Sequence, residues 1–145
     1  MIKSIEKREG VIMAQLDLNM LKSFAGLASQ GNTIMETIQA YKKGDYATVL
    51  ENARKLISGV AQNSSEVSKL TSEETNKFSG LGSMLEYLQK QNAYPASTMD
   101  SLFDVRSLAK AAYKDPTKAT EQRAKNAMED LQDIYAYLDE HSVSM

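Results

Sequence analysis

The chain has 145 residues, 42% apolar and 25% charged, with a formal net charge of −2. A chain of this size forms one domain that buries about two thirds of its unfolded surface, and its charge gives no overall attraction to nucleic acid or anionic membrane. The absence of cysteine excludes disulfides, thiol chemistry and thiolate metal sites, and no apolar run approaches the roughly 18 residues that span a bilayer.

The first ten residues, M-I-K-S-I-E-K-R-E-G, lack an apolar signal core, so no secretory leader is expected and the cytoplasm is the default location. Lys7-Arg8-Glu9-Gly10 can be encoded by a purine run of the bacterial ribosome-binding type, with Met13 at the right spacing behind it. Residues 1–12 are therefore expected to be either a translated leader, in a bacterium or one of its viruses, or a plain disordered tail.

A first helix is expected from near Asp17 to Tyr41, because Met20, Phe24, Leu27, Gly31, Ile34, Ile38 and Tyr41 recur at steps of three and four. Gly26 and Gly31 then let a neighbour approach closely. The competing reading is a break around Ser29, Gln30, Gly31 and Asn32, with a restart at the capping box Thr33-x-x-Glu36. Two interior glycines cost a helix roughly 2 kcal/mol against alanine. Gly44 is suited to the left-handed position past a helix end, and Asp45 to the N-cap of the next. The second helix carries Tyr46, Val49, Leu50, Ala53, Leu56, Ile57, Val60 and Ala61 on one broad apolar face, with Glu51 and Lys55 paired on the other.

The turn Tyr41-Lys-Lys-Gly-Asp-Tyr46 followed by Val49-Leu50 resembles the helix-to-helix turn of a tetratricopeptide repeat. The resemblance covers about a dozen residues and has no second copy at the repeat period of about 34. It implies a helical hairpin and carries no peptide-binding role to this chain.

Residues 62–72 are polar and serine-rich, which predicts a flexible connection. Thr71-x-x-Glu74 is a capping box that opens a third helix, expected to run to about Gln91 with Phe78, Leu81, Leu85 and Leu88 on its apolar face. Within it, S-G-L-G-S at 79–83 could cradle phosphate, but no strand precedes it and no Gly-Lys-Ser/Thr follows. Close packing or a kink is the expectation. Pro95 ends this helix, and Ser97-x-x-Asp100 caps a fourth with Met99, Leu102, Phe103, Val105, Leu108, Ala109 and Ala112 apolar. Asp115-Pro116 is an N-cap with proline at the first helical position. The fifth helix is expected from there to Glu140, with Thr120, Ala124, Ala127, Leu131, Ile134 and Leu138 as its seam. The predicted fold is all-α: a single-domain bundle of four to five helices, antiparallel neighbours joined by short turns.

Catalytic machinery is thin. The one histidine, His141, lies near the end of the chain, and no Glu-x-x-His pair forms a bundle metal site. No serine sits in a nucleophile elbow. Glu73, Glu74, Asp130 and Asp133 are expected as solvated acids. The expectation is a non-enzyme without cofactor or metal.

The charge layout says more than the total. Arg106, Lys110, Lys114, Lys118, Arg123 and Lys125 stand against Asp115 and Glu121, a local net of +4, whereas the chain beyond Lys125 holds five acids and no Lys or Arg. Arg106, Lys110 and Lys114 recur every four residues and line one helix edge. With Lys118 they form either a strip for nucleic acid or an acidic partner, or simply a solvated face, for which the acids of the fifth helix are available partners. Asp139 and Glu140 oppose the dipole at a helix C-terminus, which suits carboxylates that serve a partner. Tyr135-x-x-x-Asp139 is similar to the short export signal of type VII secretion substrates, without the Trp-x-Gly turn that accompanies it. Tyr135 and Tyr137 are about 200° apart around a helix, so at least one lies near the surface. The expected function is a protein-interaction or assembly role (complex subunit, adaptor or inhibitor) through Tyr135, Tyr137, Asp139 and Glu140. The alternative is a nucleic-acid-associated subunit using the basic edge. Self-association is compatible with both.

Overall fold

A computed structural model describes residues 15–141 and 143. The expectations for residues 1–12 and Met13 lie outside the described residues. Among these the chain is helical without a strand: α1 (Leu18–Ala25), α2 (Gly31–Lys43), α3 (Tyr46–Asn63), α4 (Ser65–Ser68), α5 (Ser72–Thr75), α6 (Leu81–Lys90), α7 (Ala96–Lys114), a 3-10 turn (Pro116–Lys118) and α8 (Glu121–Glu140). The all-α class is as the periodicity predicts. The central element is α3, which packs on α2, α7 and α8, while α7 lies along α8 and α6 leans on α7. One continuous core results, and Val49, Ala53, Leu56, Ile57, Leu85, Leu102, Met128, Leu131 and Ile134 are all buried in it.

The α2–α3 hairpin forms as expected. Gly44 adopts the left-handed conformation at φ 81°, and its amide reaches back to the Ala40 and Tyr41 carbonyls. Asp45 accepts from the Thr48 amide at 3.3 Å, which caps α3. Glu51 and Lys55 pair at 3.8 Å on the solvent side.

The continuous first helix does not form. Asp17 caps α1, accepting from the Asn19 and Met20 amides at 3.0 and 3.2 Å. The chain then turns through residues 26–30 before α2 begins. Leu27, placed on the apolar face by its spacing, stands 61% exposed in that turn. The competing capping box is also absent. The N-cap of α2 is Gln30, whose carboxamide donates to the Lys55 carbonyl at 3.3 Å and makes no capping bond, and Thr33 lies inside the helix, its carbonyl accepting from the Thr37 hydroxyl at 2.6 Å. Gly31 explains the turn, because a Cβ there would collide with the Ala25 carbonyl oxygen. Only a bare backbone lets α2 start that close to the end of α1.

Four other boundaries move for local reasons. The connection at 62–72 is folded rather than irregular. Ser64 donates to the Ala61 carbonyl at 2.7 Å and accepts from the Val67 amide at 3.2 Å, and the resulting turn of α4 buries Val67. The Thr71–Glu74 capping box forms, with reciprocal bonds of 2.8 and 3.1 Å that hold the Glu74 carboxyl below its ordinary pKa. It opens only the single turn of α5, however, and α6 restarts at Leu81 after Phe78 packs on Tyr87 with ring centroids 5.5 Å apart. Asp115 likewise caps only the 3-10 turn, accepting from the Thr117 amide and hydroxyl at 3.1 and 2.7 Å, which lowers its pKa. Thr120, expected on the seam of the fifth helix, is instead the N-cap of α8 and accepts from the Arg123 amide at 3.2 Å. At the start of α7, Pro95 occupies the cap position in place of Ser97.

The helix α8 is buried more completely than its composition implies. Asp130, expected as a solvated acid, is fully buried, and so nearly is Gln132. The Gln132 carboxamide accepts from the Asp17 amide at 2.7 Å and donates to the Gln15 carbonyl at 3.1 Å, which ties the start of α1 to α8. Tyr135 is 0% exposed, with its ring 6.2 Å from that of Phe24 and its hydroxyl without a hydrogen-bond partner. Burial raises its pKa. An unpaired buried hydroxyl costs about 1–3 kcal/mol in lost hydration. Tyr135→Phe is therefore expected to leave stability unchanged or raise it by about 1 kcal/mol, measured by urea unfolding. A loss of that size would mean that the hydroxyl is satisfied in solution.

Candidate functional site

The C-terminal residues expected to meet a partner are not brought together. Tyr135 belongs to the core, which corrects its assignment as a surface contact. Tyr137 is half-buried between Tyr94, at 6.0 Å edge-on, and the stacked ring of His141, at 4.2 Å. Burial pushes the Tyr94 hydroxyl up to about 12. His141 is exposed, and its Nδ1 lies 3.0 Å from the Tyr137 carbonyl oxygen at the end of α8. Asp139 and Glu140 are exposed, and of the four residues only these present charge to solvent.

The basic edge divides. Lys114 ends α7 and Lys118 ends the 3-10 turn, both exposed. Between Lys110 and Lys114 stands Tyr113, 90% exposed. Arg106 and Lys110 instead line a cleft of about 790 Å³ between α3, the start of α6 and α7. Its floor is apolar, made by Leu50, Leu81, Ala109 and Ala112, and Tyr113 stands in its wall. Arg54 of α3 supplies a third cation that the sequence reading did not include. The fourfold spacing reveals Arg106 and Lys110 as neighbours, whereas Arg54 lies more than 50 positions away in the chain and joins them only through the packing of α3 on α7. Among the described residues none of these three cations makes an ion pair. Glu51, the carboxylate in the lining, is engaged with Lys55. Lys110 is exposed, as the solvated-face alternative expects, and Arg106 is half-buried; among the described residues neither pairs with an acid of α8.

The S-G-L-G-S stretch closes one end of the cleft. Ser83 Oγ accepts from the Ser79 and Gly80 amides at 2.9 and 3.3 Å and donates to the Gly80 carbonyl at 3.0 Å. Gly80 has no side chain with which to cap the helix, so the amides of Leu81 and Gly82 have no acceptor among the described residues. At Gly82 the expected close approach is real, but the neighbour is a guanidinium rather than a helix. A Cβ there would lie 2.7 Å from Arg106 Nη2 and 2.9 Å from Nε.

Among the described residues no cluster of His, Asp and Glu has metal-binding geometry, and no helix is long and apolar enough to cross a membrane. Compared with known proteins, the chain matches no family model, and no curated protein or solved structure is significantly similar to it.

Proposed function

We propose that this is a non-catalytic interaction or assembly protein of a bacterium or phage, working in the cytoplasm as a complex subunit, adaptor or inhibitor. The observation that carries the reading is Tyr113, an almost fully exposed aromatic between Lys110 and Lys114, with Lys118 beyond it. An exposed tyrosine is a residue type enriched at contact surfaces, and the lysines beside it give the positive potential that steers an acidic partner toward it. Asp139 and Glu140, exposed at the end of α8, offer a second contact of opposite sign. Cations of this kind suit binding and steering of an acidic group, and Ser83 is committed to the start of α6.

The second reading, a nucleic-acid-associated subunit, rests on the fourfold spacing of Arg106, Lys110 and Lys114 along α7. Size fractionation of a lysate of the source organism, with and without nuclease, separates the two. The expected result is a particle much larger than 16.1 kDa that survives nuclease and is lost when Tyr113, Lys114 and Lys118 are replaced by Ala, Glu and Glu. Collapse on nuclease, with affinity falling by about one power of salt concentration per phosphate contacted, would establish the second reading instead. A free monomer in both samples defeats the assembly role.

A further inference from the structure

The cleft has features that a protein-docking strip does not need. One of its cations, Arg106, lies against the start of α6 at one end. At that end Gly80 leaves open space where a Cβ would be, and Gly82 has no side chain to exclude the Arg106 guanidinium that lies over it. Arg54, Arg106 and Lys110 against Glu51 give the lining a formal excess of +2, which suits a dianion. Arginine without a carboxylate partner can fork two oxygens of such a group. The unacceptored amides of Leu81 and Gly82 add donors at the same place. An inorganic anion would leave most of the space empty, because 790 Å³ is the size of a small-molecule site. The remainder is floored by Leu50, Ala109 and Ala112 and edged by Tyr113, a surface for a planar apolar body rather than for water.

We propose that this cleft binds an organic phosphate of mononucleotide size, with the phosphate between Arg106 and the first turn of α6 and the ring system over the apolar floor beside Tyr113. The site does not depend on the interaction role: Arg106 and Gly82 define it, and Lys114 and Lys118 lie outside its lining, although Tyr113 belongs to both surfaces.

The test is a titration of the full-length 15N-labelled protein, followed by amide shifts, with AMP, UMP, adenosine, inorganic phosphate and a ten-nucleotide single-stranded DNA. The expected result is saturable movement of the Leu81 and Gly82 amides with AMP or UMP, and at least about tenfold weaker binding of adenosine or phosphate alone, because each lacks half of the recognition. Arg106→Gln is expected to weaken nucleotide binding about tenfold or more, and Arg106→Lys to recover only part of it, since lysine cannot fork. Gly82→Ala displaces the guanidinium without disturbing helix α6, so it should lose affinity while its spectrum stays folded. Lys90→Gln, at the far end of α6, should change nothing. Three outcomes overturn the proposal: no saturable shift with either nucleotide, equal affinity in Arg106→Gln, or tighter binding of the oligonucleotide than of AMP and UMP. The last would make the cleft part of a nucleic-acid track.

Discussion

Leu56→Ala is expected to destabilise the protein by about 2–5 kcal/mol, the cost of removing buried methyl groups plus that of the cavity they leave. Leu56 is 0% exposed on α3, the helix that α2, α7 and α8 all pack against. The core it belongs to is shared among separate helices, so collapse around a smaller side chain requires shifting packed elements. A domain of this class has roughly 5–15 kcal/mol to lose. The midpoint of urea unfolding should therefore fall sharply, and the melting temperature by about 2–4 °C per kcal/mol. The control is the adjacent Lys55→Ala, which removes an exposed ion pair worth no more than about 1 kcal/mol. Equal losses at the two positions would contradict the central placement of α3.

Gly31→Ala tests the break between α1 and α2. In one continuous helix, alanine at this position would stabilise by about 1 kcal/mol. In the observed fold its Cβ meets the Ala25 carbonyl, and backbone must move to admit it. The expected net effect is a loss of about 1–3 kcal/mol, typical of overpacking a site that cannot relax. Gly26 is the internal comparison. A Cβ there would come no closer than 3.7 Å to the Ser23 carbonyl, at an ordinary φ of −74°. Gly26→Ala should be neutral or stabilising by up to about 1 kcal/mol through the unfolded chain. The two glycines are indistinguishable in the sequence, yet their alanine variants should move the unfolding midpoint in opposite directions. A stabilised Gly31→Ala would restore the single long helix.

What could be read from the residues alone was set within a few positions of chain. Asp17, Asp45, Thr71, Asp115 and Thr120 each find their hydrogen-bond donors two or three residues away, and the left-handed turn at Gly44 is closed by carbonyls three and four back. Of these, Asp45, Asp115 and the Thr71–Glu74 box are placed correctly by pattern alone, as are the apolar faces of α3 and α7. What those signals do not carry is how far a helix continues once started. The box at Thr71 opens a single turn, and the stripe through Phe24 and Ile34 runs unbroken across a chain reversal.

The site depended on longer range still. Tyr135 and Tyr137 are equivalent as residues, and only the neighbours of α8 decide that the first is core and the second lies between Tyr94 and His141. Asp130 reads as a surface acid until the other helices close around it. Arg54 joins Arg106 because α3 packs on α7, and Gln132 meets Asp17 across 115 positions of chain. Caps and turns are short-range hydrogen bonding and sterics, which a sequence states directly. Burial and the meeting of distant charges are properties of the packed whole, and they exist only once the helices have come together.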